Sequence, residues 1–198
     1  MDLQELKPGD VLLFRPDGKG PYSWLMRRLV DYSHVAIYWT ETSRGLPLII
    51  ESIGRGVLIR SLYWYTGKRV KVMRARQDTG LGERAAKTAE RLADHPASWY
   101  GYWDIPRYVL PKLLLAKLNT WLPLRFKLPL WLMAHTYRRN HIYICSELVA
   151  MAYSGAGCPL MTEKTIPLPD DVAKSEQLAH VGDLEIDLTE SGQESPLL

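Results

Sequence analysis

The stretch DYSHVAIYW, residues 31–39, decides how the chain is read. His34, Ala36 and Tyr38 alternate with Val35, Ile37 and Trp39, and a period of two is the mark of a β-strand. The aliphatic pair beside Trp39 marks one face as core. His34 therefore stands on the other face, at the first position of its strand, where a solvent-facing Thr or Lys would serve as well. An imidazole there asks for a chemical reason.

Outward from this strand, short apolar runs alternate with turn chemistry. LKPGDVLLFRP (6–16) predicts a Pro-Gly-Asp turn feeding a buried strand over Val11 to Phe14. Four strands follow at 34–39, 47–52, 56–61 and 69–75. The loops between them are rich in Gly, Ser or Thr, with GRG at 54–56 as a hairpin turn. Close spacing and short turns predict an antiparallel meander. SWLMRRLV (23–30) fits a short helix with Trp24, Leu25, Leu29 and Val30 inward and Arg27 and Arg28 outward. LGERAAKTAERLADH (81–95) is the clearest helix, with Ala85, Ala86, Ala89, Leu92 and Ala93 on one face and Pro96 as its stop. CSELVAMAYSGAG (145–157) is another, ended by Gly155 or Gly157. IPLPDD leads toward a last helical turn at 170–178. The polar, acidic residues 179–198 are expected to form a partly disordered tail.

Length and composition narrow the class. The 198 residues suit one domain, here 1–178, and 46% hydrophobic content supports a real core. The formal charge of +3 is too small to point to nucleic acid. It hides an asymmetry: Thr162 to Leu198 hold nine acids against two Lys, which leaves about +10 on the rest. The N-terminus MDLQELKPGD lacks the basic and apolar regions of a secretory signal. Two cysteines cannot build a disulfide framework. Both features predict a reducing, cytoplasmic setting.

Residues 104–141 form the odd segment. No acid occurs between Asp104 and Glu147, seven Lys or Arg fall between Ile105 and Arg139, and four prolines interrupt a Leu-dense run containing Trp121 and Trp131. No uncharged stretch reaches the roughly 20 residues of a spanning helix. Short basic Leu/Trp-rich helices suit a lipid or membrane surface reached through residues 105–139. They also suit packing against the sheet, with Lys stems covering apolar surface.

The second chemical question concerns Cys145. It opens a helix, where the macrodipole and unpaired N–H groups favour a thiolate. A buried, inert thiol is the ordinary alternative. If 34–39 and 47–52 form a hairpin centred near Ser43, His34 lies opposite residue 51 or 52. Glu51 could then accept the imidazole's second N–H and fix its tautomer, as the orienter of a nucleophile–base set must. An ordinary His–Glu pair fits the same spacing. His95, His135, His141 and His180 lack partners at ligand spacing. No phosphate loop or dinucleotide fingerprint appears. No metal or other cofactor is expected.

LKPGDVLLF, SHVAIYW, LIIESIGRGVLIRSL and YICSELVAMAY, in that order, resemble the circularly permuted papain-like amidase family. These are permuted relatives of NlpC cell-wall peptidases and, more distantly, of the lecithin:retinol acyltransferase group. The resemblance covers most of 5–77 and 143–178, with IPLPDDVAKS as the closing segment. It implies an α+β fold: a papain-like core in permuted order, with an antiparallel sheet or small barrel packed against helices and the basic segment as a helical insert. It implies Cys145 as nucleophile, His34 as general base and then acid, and Glu51 as orienter. It also implies a Tyr near the oxyanion site, Tyr100 first and Tyr102 second. The expected activity is cysteine-dependent hydrolysis of an amide bond in a peptide or acylated substrate through an acyl-enzyme. A lipid-directed thioesterase or acyltransferase is the second reading, and a non-catalytic binding module on the same fold the third. The insert departs from the family pattern and bears on the substrate more than on the chemistry.

Overall fold

Four consecutive apolar residues, Val11–Phe14, form strand β1, and all four are buried. A run without alternation belongs to a strand covered on both faces. The computed structural model describes residues 1–18, 21–77, 80–95, 99–100, 114, 142–161 and 167–187. The basic insert (apart from Leu114), Tyr102, Pro96 and residues 188–198 lie outside the described residues.

Around β1 the chain builds helix α1 (Pro21–Leu29), strands β2 (His34–Glu41), β3 (Pro47–Ile53), β4 (Gly56–Ser61) and β5 (Arg69–Ala75), and helix α2 (Leu81–Ala93). The short strands β6 (Trp99–Tyr100) and β7 (Ile142–Tyr143) follow, then helix α3 (Cys145–Gly155), helix α4 (Pro169–Ala173) and strand β8 (Leu178–Glu185). The main sheet has six strands in the order β4-β3-β2-β1-β5-β8, with every neighbouring pair antiparallel. The fold is therefore α+β, an open antiparallel sheet with a helical layer. A two-stranded parallel ladder joins β6 to β7 and sets Tyr100 beside Tyr143, immediately before α3.

Each face of the sheet has its own core. Val11, Leu13, Val35, Ile37 and Ile50 meet Ala85, Ala86 and Ala89 of α2 and Leu148, Val149 and Ala152 of α3. On the other face Leu12, Phe14, Ala36, Tyr38, Ile49, Val70 and Val72 are closed over by Leu6, Leu62 and Leu184. The Ala face expected of residues 81–93 is the one that packs. The Pro8-Gly9-Asp10 turn is wedged against the start of α2. Gly9 has φ +90, and a Cβ there would stand 2.2 Å from the carbonyl oxygen of Gly82, so only glycine fits. Tyr153 of α3 donates its hydroxyl to the Gly9 carbonyl at 2.7 Å, which ties both helices to one turn. Asp10, buried beside it, accepts Nε and Nη2 of Arg74 at 2.7 Å each, a bidentate bond that locks β1 to β5.

Four expectations need correction. The meander holds for β2, β3 and β4, but β5 does not continue it; a 3-10 turn over Leu62–Tyr65 carries the chain across the sheet, and β5 pairs with β1. The face bearing His34, Ala36 and Tyr38 is buried rather than solvent-facing, because that turn and the N-terminus cover it. Trp24 points outward, 52% exposed, with the Arg28 guanidinium 4.3 Å from its ring centroid. The tail does not begin at 179: Leu178–Glu185 pairs along the whole of β5, with Leu178 and Leu184 buried. Its acids sit on an edge strand, where one side of the ladder is free, and so disguise the strand as a tail.

Candidate active site

Cys145 takes the first turn of α3 because the chain cannot extend the helix backward. Ile144 is extended, at φ −83 and ψ 164, and its N–H is held by the Glu147 carboxylate at 3.1 Å. The thiol is buried against the beginning of β2. The His34 ring stands in hydrogen-bonding reach of the sulfur, and the N–H groups of Val35 and Ser146 also point to it. Burial pushes the Cys145 thiol up, but these donors and the imidazole charge outweigh burial and pull it below its ordinary value.

His34 comes from the other side of the strand end. Its Nε2 lies 2.6 Å from Oε2 of Glu51, which leaves Nδ1 as the nitrogen facing the sulfur. Burial pulls the imidazole down, but its bonds to Cys145 and Glu51 outweigh this and raise its pKa to about 9. Both shifts have one meaning: the pair favours thiolate and imidazolium over thiol and imidazole.

Glu51 reaches His34 by a route different from the one expected. The hairpin is centred close to Ser43, at Arg44 by its turn end and between Ser43 and Arg44 past a bulge, but His34 is directly opposite neither residue 51 nor residue 52. At the turn end Thr40 faces Leu48 and Glu41 faces Pro47; past a bulge at Trp39, Tyr38 faces Ile49 and Ile37 faces Ile50. Continuing that ladder sets Glu51 level with Ala36, one diagonal step from His34 and on its face. Without the extra residue Glu51 would be level with Ile37 and would point toward the helical layer. A one-residue shift inverts every side chain, so the bulge is what brings carboxylate and imidazole together.

Two further side chains converge on Glu51, and neither was anticipated. The Tyr65 hydroxyl donates to Oε2 at 2.5 Å, and Arg60 Nη1 donates to Oε1 at 3.2 Å. Glu51 itself is 0% exposed. Burial pushes its carboxyl up, yet the bonds from His34, Tyr65 and Arg60 hold it below the usual range. The aromatic run LYWY at 62–65 is the nearest thing to a signal in the sequence; nothing in it names Glu51 as the target.

The surroundings fasten the pair. Ser146 Oγ donates to the Pro167 carbonyl at 2.7 Å. Three residues past that anchor, the Asp170 carboxylate accepts the N–H groups of Asp31 and Tyr32 at 3.1 and 2.8 Å. The closing segment thus links the head of α3 to the loop that delivers His34. Tyr100 pairs with Tyr143 in the β6–β7 ladder, two residues before Cys145; the placement of its side chain is outside the described residues. His180 bonds Asp183 at 3.0 Å on the β8 edge, at the opposite flank of the sheet from β2 and β3.

No family model matches the chain, and no curated protein matches it. Among solved structures it is similar to the crystal structure of metalloprotein yiiX from Escherichia coli O157:H7, DUF1105, with a TM-score of 0.56 at 15% identity over 89% of this chain and 96% of that one. At that identity the likeness speaks for the fold alone.

Proposed function

We propose that the protein is a cysteine hydrolase that cleaves an amide bond through an acyl-enzyme, on a papain-like core in permuted order. One observation carries the reading: the sulfur at the head of α3 faces an imidazole whose far nitrogen is 2.6 Å from a fully buried carboxylate. Chain order supports the permuted arrangement, since the His strand precedes the Cys helix. The Cys145 thiolate attacks the carbonyl carbon. The N–H of Cys145 and a hydroxyl from Tyr100 or Tyr102 stabilise the oxyanion, donors of this kind contributing about 3–4 kcal/mol each. His34 gives its proton to the leaving nitrogen as the C–N bond breaks. It then takes a proton from water, which attacks the thioester and restores the thiolate–imidazolium pair. Glu51 holds the ring and its charge throughout.

The structural neighbour is described as a metalloprotein. The described residues do not fit a metal centre. Glu51 lies behind the His34 ring rather than beside the sulfur, and no group of three His, Cys, Asp or Glu among the described residues could hold a metal ion. The mechanism has no step through one.

A lipid-directed thioesterase or acyltransferase is the second reading. It is supported by the basic Leu/Trp-rich composition of 105–139 and by exposed Trp24 and Trp64, each under an arginine. Among the described residues no helix is long and apolar enough to cross a membrane. One experiment tests both readings. The protein is incubated with peptide amides, acyl esters and acyl thioesters, quenched in acid, and analysed by intact mass for an acyl adduct on Cys145. An amide-derived adduct that disappears in Cys145→Ala supports the hydrolase. Adducts from thioesters alone, together with sedimentation on anionic vesicles, favour the second reading. Iodoacetamide labelling no faster than that of a free thiol at neutral pH would leave only a binding module.

A further inference from the structure

We propose that Tyr65 and Arg60 are positioning residues for the Cys145–His34 pair, which they serve by keeping the buried Glu51 carboxylate ionised. The inference rests on the hydrolase reading and adds to it the device that makes its charges compatible with burial.

A carboxylate removed from water and left alone takes up a proton rather than keep its charge. Glu51 is 0% exposed, and one imidazole is a poor substitute for a hydration shell. The carboxylate has about four acceptor positions. His34 Nε2 at 2.6 Å and the Tyr65 hydroxyl at 2.5 Å share Oε2, while Arg60 Nη1 at 3.2 Å takes Oε1. The Tyr65 distance falls in the range of a charge-assisted O–H···O bond, and the His34 distance is shorter still than the usual N–H···O one. Arg60 supplies the only formal positive charge in the set that does not depend on the state of the reacting pair. Arg60, Glu51, His34 and Cys145 then stand in sequence as plus, minus, plus and minus. Each charge is neighboured by its opposite, and the row ends at the sulfur.

Both donors are themselves held. The Arg60 guanidinium lies 4.3 Å from the ring centroid of Trp64, a residue otherwise 70% exposed, which fixes its plane. Tyr65 packs against Phe14 at 4.3 Å between centroids, and Phe14 in turn packs on His34 at 5.4 Å. The turn that delivers Tyr65 is secured at its start, where Ser61 Oγ accepts the Tyr63 N–H at 3.2 Å. Burial and the Glu51 charge push the Tyr65 phenol up, so it stays a donor. A turn built only to cover the sheet needs an apolar side chain at 65; a hydroxyl and a guanidinium aimed at one carboxylate do more than cover.

The test is the pH dependence of Cys145 alkylation by iodoacetamide in the full chain, for the wild type, Tyr65→Phe, Arg60→Met and Arg60→Lys. Loss of either donor makes the Glu51 anion, hence the imidazolium, hence the thiolate, less favourable. The midpoint for thiolate appearance is expected to rise by about half to one pH unit, with about a threefold to tenfold loss of rate below it. Arg60→Lys recovers most of the shift. In a Glu51→Gln background Tyr65→Phe and Arg60→Met add nothing further, because their route to the sulfur is already cut. Thermal unfolding monitors the fold, and Arg60→Met, at a partly exposed position, carries the test if Tyr65→Phe unfolds. Unmoved midpoints in folded variants, or shifts that persist undiminished with Gln at 51, overturn the proposal. A wild-type thiol of ordinary reactivity would instead overturn the hydrolase reading itself.

Discussion

At the scale of single residues, Cys145 and His34 shift each other's titration in opposite senses. The sulfur gives up its proton below its ordinary range, and the imidazole keeps one up to about 9. The reactive ion pair therefore exists between those limits. Acid removes it by protonating the thiolate; base removes it by stripping the imidazolium. Hydrolysis is expected to follow a bell whose acid limb lies below the free-thiol value of about 8.5 and whose basic limb lies near pH 9. A pH series of initial rates on any turned-over substrate checks this. A single rise with a midpoint near 8.5 would mean an unactivated thiol. His34, Cys145 and the acid at 51 were legible because each has a local oddity: a ring at a strand's first position, a thiol at a helix's first position, a carboxylate in an aliphatic run. Arg60 and Tyr65 were not. They lie 9 and 14 residues from Glu51 and meet it only after a hairpin and a turn fold back over the sheet.

At the scale of elements, the fastening of α3 to β2 runs through α4. Asp170 gives two backbone N–H groups their acceptor in the loop that ends at His34. Asp170→Ala leaves both without one, at about 1–3 kcal/mol for bonds to a charged group that is only half-buried. The prediction is that urea unfolding reports a loss of that order, while Cys145 labelling at neutral pH slows through loss of register between the two elements. Asp170→Asn, which keeps one acceptor oxygen, is expected to fall between. Unchanged labelling in a destabilised Asp170→Ala would make α4 a support of the fold only. Strand existence was readable from period-two alternation in β2 and the aliphatic run of β3. The bulge at Trp39 was not, because a one-residue slip is selected by the partner strand and the layers on each face, and β2 alone reads the same with or without it.

At the scale of the molecule, the sheet is completed by the segment that composition assigns to a tail. A chain ending at Gln177 would lose Leu178, Leu184 and Ile186, all buried. At about 1.5–3 kcal/mol per side chain the loss is about 5–9 kcal/mol, comparable with the whole stability of an ordinary domain. That truncation is expected to give insoluble protein, or a soluble form without near-ultraviolet circular dichroism. A native-like spectrum and a sharp thermal transition in the truncated chain would show β8 to be dispensable. The same scale explains why β5 was misplaced. Short loops favour neighbours in sequence, but the turn at 62–65 has its own apolar anchor in Leu62 and crosses the second face instead.

The sequence by itself determined the α+β class, the strands and helices with strong periodicity, and the identities of a thiol, an imidazole and a carboxylate with chemical promise. Those properties are local: side-chain alternation, helix-start geometry and burial preference act over a few residues. Tertiary structure alone decided the strand order, the face on which Glu51 emerges, the outward turn of Trp24 and the two donors that surround the carboxylate. Each of these depends on which distant segment covers a surface or offers a hydrogen bond, and that partner is chosen by the free energy of the whole packed chain.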